Sequence, residues 1–479
     1  MKPRILSLLL GATSSAGGAG AVEIIDVNGH AVAVDAQTQV MIDDVPLSPG
    51  SALPDKPGVR VEARYATGAA PLGVPAAAAV VFSYAVRGPV TSIVPLRVLG
   101  QEVTVTADTQ LTGVPGGAIG NVALGDHLDV SGYVDGNASL LASFIEYLPA
   151  PTTRWLLSGY VSAVNGDEAS IGPQRVSLAG VSPIDCGSGV AAGQYVEIRA
   201  DAIAGFDATS VLDSVTRLSC VTPMPVGTPG ALGALTGIVG VVGGNSFTFG
   251  PYTVGYDAST EFRYGSADDL VEGAALEVDG VFGDGGTFAA QGIQFDAPMI
   301  RLEGPVDPGD VQAGADGTVT LLGNSVHRAA QLRDEDAIYA NGIAQPQQVE
   351  LRGYLDRLGQ RWATRARVRG APDPADARAG GPVESVARPL LTVLGLSLDT
   401  TGATFEDPAG NAIDADAFFA GAVPGALVEQ TGAWNGADVL GGGVVALVAP
   451  LDPPPADAPR MLIVGTLRGG DALFANGFD

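Results

Sequence analysis

Gly125-Asp126-His127-Leu128-Asp129-Val130-Ser131-Gly132 is the fullest copy of an eight-residue phrase that occurs six times in this chain. It returns at residues 56–63 (KPGVRVEA), 193–200 (GQYVEIRA), 273–280 (GAALEVDG), 346–353 (PQQVELRG) and 425–432 (GALVEQTG). The fourth position is always aliphatic: Val59, Leu128, Val196, Leu276, Val349, Val428. The fifth is always charged: Arg60, Asp129, Glu197, Glu277, Glu350, Glu429. The eighth is always Ala or Gly. Apolar-charged-apolar alternation is the period of a half-buried strand. A small residue at its end predicts a bend, a bulge or a close backbone approach. Recurrence roughly every 70 to 80 residues makes the chain a tandem β-array.

The rest of each repeat can be read outward from the phrase. A Gly-x-Val opener precedes it, as in Gly88-Pro89-Val90, Gly159-Tyr160-Val161, Gly237-Ile238-Val239, Gly304-Pro305-Val306 and Gly381-Pro382-Val383, with Gly20-Ala21-Val22 as a degenerate first copy. A second strand and a Leu-Gly turn follow, for example Leu99-Gly100, Leu322-Gly323 and Leu394-Gly395. Next come a third strand and a variable connection with helical propensity at 266–270 and 414–420. The phrase is the fourth strand, and a fifth closes the unit. Five strands with a variable third-to-fourth connection is the order of an OB-like Greek-key barrel, with a small sandwich as the alternative. The expectation is therefore all-β: about six small five-stranded OB-like barrels strung in a rod with limited inter-domain packing. The units are placed at residues 22–85, 86–149, 155–222, 232–298, 299–370 and 379–449. A Pro-rich linker and tail occupy 450–479, and proline-rich joints such as Pro149-Ala150-Pro151 lie between units.

Composition narrows the function classes. Among 479 residues, 67 Gly and 33 Pro fit short strands joined by many turns. The formal charge is −27, and all but two of the 25 basic residues are Arg, the exceptions being Lys2 and Lys56. Such a surface opposes a phosphate backbone, so nucleic acid is not an expected partner. Negative charge also keeps β-edges from associating. The N-terminus reads as a signal peptide over residues 1–21: basic Lys2 and Arg4, apolar Ile5 to Ala12, and Ala19-Gly20-Ala21 as the cleavage site. No later run is long and apolar enough to be a transmembrane helix. Cys186 and Cys220, both in the third unit, are a disulfide candidate, with two buried thiols as the alternative.

Chemistry is sparse. His30, His127 and His327 fall in different units without metal-ligand spacing, and there is no Gly-x-Ser-x-Gly, phosphate loop or dinucleotide fingerprint. The acidic groups Asp307-Asp310-Asp316, Asn165-Asp167-Glu168 and Asp407-Asn411-Asp414-Asp416 read as turn formers. No catalytic residue, metal or cofactor is assigned. Tyr252, Tyr256 and Tyr264 are the candidate binding residues, as an aromatic face for a glycan or another exported protein.

The frame Gly-x-Val-x-x-Val, Leu-Gly-Gln-x-Val-x-Val, Leu-x-x-Gly-Asp-x-Leu-x-Val-x-Gly, Ala-x-x-Ile-Glu, clearest from Gly88 to Glu146 and from Gly237 to Phe295, resembles a bacterial tandem domain of unknown function. That family occurs in exported and lipid-anchored proteins. Gln430 and Pro346 depart from its pattern. The resemblance implies an OB-like β-fold and export, with no accepted activity or catalytic residue to transfer. The C-terminal Phe474-Ala475-Asn476-Gly477-Phe478-Asp479 is similar to a short Phe-x-x-Gly-Phe-Asp signature of exported gammaproteobacterial proteins. The resulting expectation is a non-enzymatic exported repeat protein of a Gram-negative bacterium. It would act as a spacer or binding scaffold in the periplasm or at the cell surface, or alternatively as a glycan- or protein-binding module.

Overall fold

The computed structural model describes residues 22–43, 45–48, 51–65, 76–106, 108–134, 139–222, 224–295, 297–356, 358–408, 410–449 and 461–468. The proposed signal peptide, the Pro450–Pro459 segment and the C-terminal signature lie outside them.

The protein is all-β. Six repeats form the coils, and their strands merge into three sheets of 13, 12 and 13 strands. In the second coil the opening strand Val86–Ile93 pairs with Leu96–Val98, which pairs with Gln101–Thr104. Gln101–Thr104 runs parallel to Leu140–Leu148, and the phrase strand His127–Val134 returns to Val86–Ile93. Coils are joined by main-chain hydrogen bonding as well as by linkers. The opening strand of the second coil pairs with that of the third, Leu156 opposite Arg87 and Leu157 opposite Val86. The opening strands of the fifth and sixth coils pair in the same way, Arg301 opposite Gly380 and Leu302 opposite Ala379.

This corrects the expected string of separate OB-like Greek-key barrels with limited packing between them. The chain is a β-solenoid of stacked coils. The physical reason lies in the cores. A repeat of this size buries too little apolar surface to be comfortably stable by itself. Here one hydrophobic cluster runs from Val86 and Leu128 into Leu157, Val196 and Leu218, through both the second and third coils. Another runs from Leu302 and Val349 into Leu398 and Val428, through the fifth and sixth.

The phrase explains each coil locally. All six fourth-position aliphatics are fully buried. Strand registers shift at Ser131/Gly132, Asp279/Gly280 and Arg352/Gly353, so the terminal small residue does mark a bulge. A Cβ on Gly353 would sit 1.8 Å from the Trp362 carbonyl oxygen, and one on Gly132 or Gly280 would sit 2.1 Å from the facing carbonyl. Only glycine permits that approach. The openers work differently: the side chain of Leu99 fills the space where a Cβ on Gly88 would lie, at 2.6 Å. Leu322 does the same beneath Gly304, at 2.7 Å.

The first coil is completed from the far end of the chain. Its strands Glu23–Val27, His30–Val34, Gln39–Ile42, Arg60–Arg64 and Ala79–Ser83 lack an opener of their own among the described residues. Leu462–Arg468 supplies it. This clasp strand pairs antiparallel with Arg60–Arg64 and with Glu23–Val27. On its other side it runs parallel to Leu232–Gly243 of the fourth coil. Gly465 lies over Val27 and Asn28, at 2.9 and 3.0 Å from a built Cβ, as Gly88 lies over Leu99. Val464-Gly465-Thr466-Leu467, with Leu in place of the usual Val, is thus the displaced opener of the first repeat, inside a segment the sequence reads as linker and tail.

The variable connections carry the short helices. Ala267–Asp269 is a turn of 3-10 helix closed by a capping box between Ser266 and Asp269. Ala415–Gly421 is an α-helix capped by Asp414, whose carboxylate accepts from the Ala417 amide. Asp307 and Asp407 sit in similar local turns, Asp407 accepting from the Asn411 amide at 2.8 Å. Cys186 and Cys220 form a disulfide with a Cα–Cα separation of 5.0 Å, tying a loop to the closing strand of the third coil.

Candidate functional site

A strand that alternates in a single barrel points its charges at water. Here the fifth-position charges point at the seams between coils. Asp129, Glu277 and Glu350 are buried, and Arg60, Glu197 and Glu429 are half-buried. The outward charge expected of the phrase is therefore corrected: it is an inter-coil charge, and each seam has its own chemistry.

At the junction of the first three coils, Asp129 Oδ2 accepts from Arg87 Nε at 3.0 Å and from Nη2 at 2.6 Å. Arg87 Nη2 also reaches Asp43 Oδ2 of the first coil at 3.2 Å. Arg199 of the third coil donates to the Asp43 carbonyl. Tyr84 lies beneath the Arg87 guanidinium, 5.2 Å from ring centroid to charge. One guanidinium thus serves two buried carboxylates. Burial wins at Asp129 over the attraction of Arg87, and the nearby Asp43 and Glu146 charges add to it, so its pKa is pushed up to about 7. Asp43 is also raised, mainly by burial.

The sign for stability follows. The folded-state pKa lies above the unfolded value of 3.8, so this group's contribution is complete below pH 3.8 and is lost as pH rises through about 7. Asp129→Asn is therefore expected to gain stability relative to the parent as pH rises across that window, on the order of 4 kcal/mol in total. Urea denaturation at several pH values measures it; a constant difference would contradict the assignment.

At the junction of the last three coils the balance is reversed. Glu350 Oε1 meets Arg301 Nη2 and Arg352 Nε, each at 3.0 Å, and Oε2 meets Arg367 Nη2 at 2.5 Å. Arg352 Nη1 bonds Asp269 Oδ1 of the fourth coil at 2.8 Å. Glu429 of the sixth coil takes Arg378 at 3.1 Å and Arg301 at 3.5 Å. Burial disfavours the Glu350 carboxylate. The Arg301 charge and the hydrogen bonds from Arg352 and Arg367 outweigh it and hold the pKa down to about 2.

The third seam joins the first and fourth coils. His30 Nε2 lies 2.6 Å from Glu277 Oε1, both side chains nearly closed to solvent, with Asp279 alongside. Beside it, Asn28 Nδ2 donates to Thr236 Oγ1 at 2.7 Å. No sequence spacing points His30 to its partner, which lies 247 residues away.

A groove of about 410 Å³ lies at the junction of the first three coils, lined by Arg60, Glu62, Arg64, Tyr84, Tyr195 and Glu197 among others. Its lining brings charged and aromatic side chains together. Three phrase copies meet in it, through Arg60, Gly132 and Glu197.

The tyrosines singled out by sequence do not combine into one exposed face. Tyr252 is buried, its hydroxyl donating to the Pro225 carbonyl and accepting from the Gly227 amide. Tyr256 and Tyr264 are half-buried against the core of the fourth coil. Tyr256 packs edge-on to Phe262. His127 lies near Trp155 and His327 near Trp362.

Residues 87–146 and 236–294, the second and fourth coils, each match the family described as Domain of unknown function (DUF5666). The chain carries two copies of that domain. The matched stretches coincide with the two in which the repeat frame is clearest. No curated protein matches the chain. Among the described residues, no helix is long and apolar enough to cross a membrane.

Proposed function

We propose that this protein is a non-enzymatic exported scaffold, acting in the periplasm or at the surface of a Gram-negative bacterium. The observation that carries the reading is the clasp: a strand from residues 462–468 completes the first coil and is hydrogen-bonded to the fourth. A chain so closed holds its coils in fixed relation, which a spacer or display platform needs. Its strongly perturbed carboxylates sit where coils meet: Asp129 shares Arg87 with Asp43 of the first coil, and Glu350 holds Arg352, which also bonds Asp269 of the fourth, and this supports an architectural role for them. The N-terminal pattern of residues 1–21 supports export.

Two measurements test it. Spin labels on the first and sixth coils of the full chain should give a narrow distance distribution, and a broad one would defeat the scaffold. Cell fractionation should find the chain outside the cytoplasm with its start near Val22; an intact Met1 in the cytoplasmic fraction would defeat export.

The groove supports a second reading, a binding module for a glycan or an exported protein. Arg60 and Arg64 beside Glu62 and Glu197 offer donors and acceptors, and Tyr84 and Tyr195 offer ring faces. Glycan-array binding that disappears in Arg64→Ala would favour it.

A further inference from the structure

We propose that His30, Glu277 and Asp279 form a site for a divalent transition-metal ion that staples the first coil to the fourth. Each residue offers one ligand atom, and these three atoms lie within 4.8 Å of one another. Ligands about 2.0–2.2 Å from a common tetrahedral ion stand roughly 3.3–3.5 Å apart, so small side-chain movements suffice. His30 Nε2 and Glu277 Oε1, now 2.6 Å apart, would separate slightly around the ion. Glu277 and Asp279 lie two apart on the strand Ala275–Phe282 and so project from the same face. His30 begins the strand His30–Val34, directly after the Asn28-Gly29 turn gripped by the clasp. Water is largely excluded, since His30 and Glu277 expose under a tenth of their side chains.

The comparison among seams gives the site its independent support. The other four fifth-position carboxylates all pair with arginine: Asp129 with Arg87, Glu197 with Arg199, Glu350 with Arg301, Glu429 with Arg378. Among the described residues Glu277 pairs with an imidazole instead, and has a second carboxylate beside it. Arg263 stands 4.0 Å from Asp279 and is bound more closely by Glu261, at 2.9 Å. Two carboxylates of one strand thus converge on a single imidazole, a grouping whose negative charge a dication offsets. One nitrogen and two carboxylate oxygens suit zinc or manganese better than calcium, which prefers an all-oxygen shell. With Cys186 and Cys220 joined in a disulfide, no thiolate competes.

The test uses the full chain, stripped with chelator and titrated with zinc chloride by calorimetry. The expected result is one zinc per chain and a rise in melting temperature. His30→Gln, Glu277→Gln and Asp279→Asn should each weaken binding by about tenfold or more, while His327→Gln leaves it unchanged. Cobalt(II) loaded into the parent should show the visible absorption of a low-symmetry tetrahedral site, a readout independent of whether a variant folds. A parent chain that takes up no zinc at micromolar concentration overturns the proposal. So does an equal loss of binding in His327→Gln and His30→Gln.

Discussion

A chain ending before Met461 is expected to lose the fold of its first coil. The clasp buries Leu462, Ile463, Val464 and Leu467, each at most 5% exposed. At about 1.5–3 kcal/mol per side chain, their burial is worth roughly 6–12 kcal/mol before the cost of ordering the strand. The same deletion unsatisfies main-chain groups on both sides. Arg60–Arg64 loses a five-residue antiparallel partner, and Leu232–Gly243 loses a parallel one. Asn28 loses its bonds from the Thr466 amide at 3.0 Å and hydroxyl at 2.8 Å. Hydrogen exchange should show protection lost over residues 23–34 and 60–64, while the second, third, fifth and sixth coils keep theirs. A synthetic peptide of residues 460–468 should restore protection when added in trans. Unchanged exchange in the first coil would refute the clasp.

Glu350→Gln is expected to destabilise the chain by about 3 kcal/mol, the lower end for removing one member of a buried ion pair. The lower end applies because Arg367 and Arg369 reach solvent, at 23% and 43% exposure, and can rehydrate. Arg352 cannot, being closed in between Glu350 and Asp269. The pH dependence is opposite to that of Asp129. The folded-state pKa of Glu350 lies below the ordinary 4.5, so its stabilisation is complete above pH 4.5 and is lost as pH falls through about 2. The difference between parent and Glu350→Gln should therefore shrink on acidification in that window. Glu335→Gln, which breaks an ion pair whose carboxylate is more open to water, should change stability by less than about 1 kcal/mol. Equal effects of the two substitutions in chemical denaturation would contradict the network.

The opposite behaviour of two residues at the same phrase position shows what a local pattern can and cannot carry. Asp129 shares one guanidinium with Asp43, whereas Glu350 has several guanidinium groups around it. The phrase marks both as charges on a strand. The phrase specifies neither Arg87 and Asp43 around Asp129 nor Arg301 and Arg367 around Glu350, and these neighbours give the two pKa shifts their opposite sign. Tyr252 failed as a surface residue for a related reason: its ring completes a core with Phe282 and Phe288, a packing no neighbour in sequence announces.

The sequence by itself determined the all-β class, the repeat frame, the buried aliphatic of each phrase and the special backbone site at its small last residue, a bulge at Gly132, Gly280 and Gly353. It also pointed to the pairing of Cys186 with Cys220, with buried thiols as the alternative. All but the last rest on alternation and on glycine where a Cβ has no room, which act within a few residues. The tertiary structure alone decided how the repeats combine. Strand pairing between coils, the seams that bury Asp129, Glu277 and Glu350, and the clasp that brings Thr466 to Asn28 join residues up to 438 positions apart. A main-chain edge accepts any strand of fitting twist and register, so its partner is chosen by packing across the whole molecule. Val464-Gly465-Thr466-Leu467 reads as tail in the sequence; that it opens the first repeat is visible only in the fold.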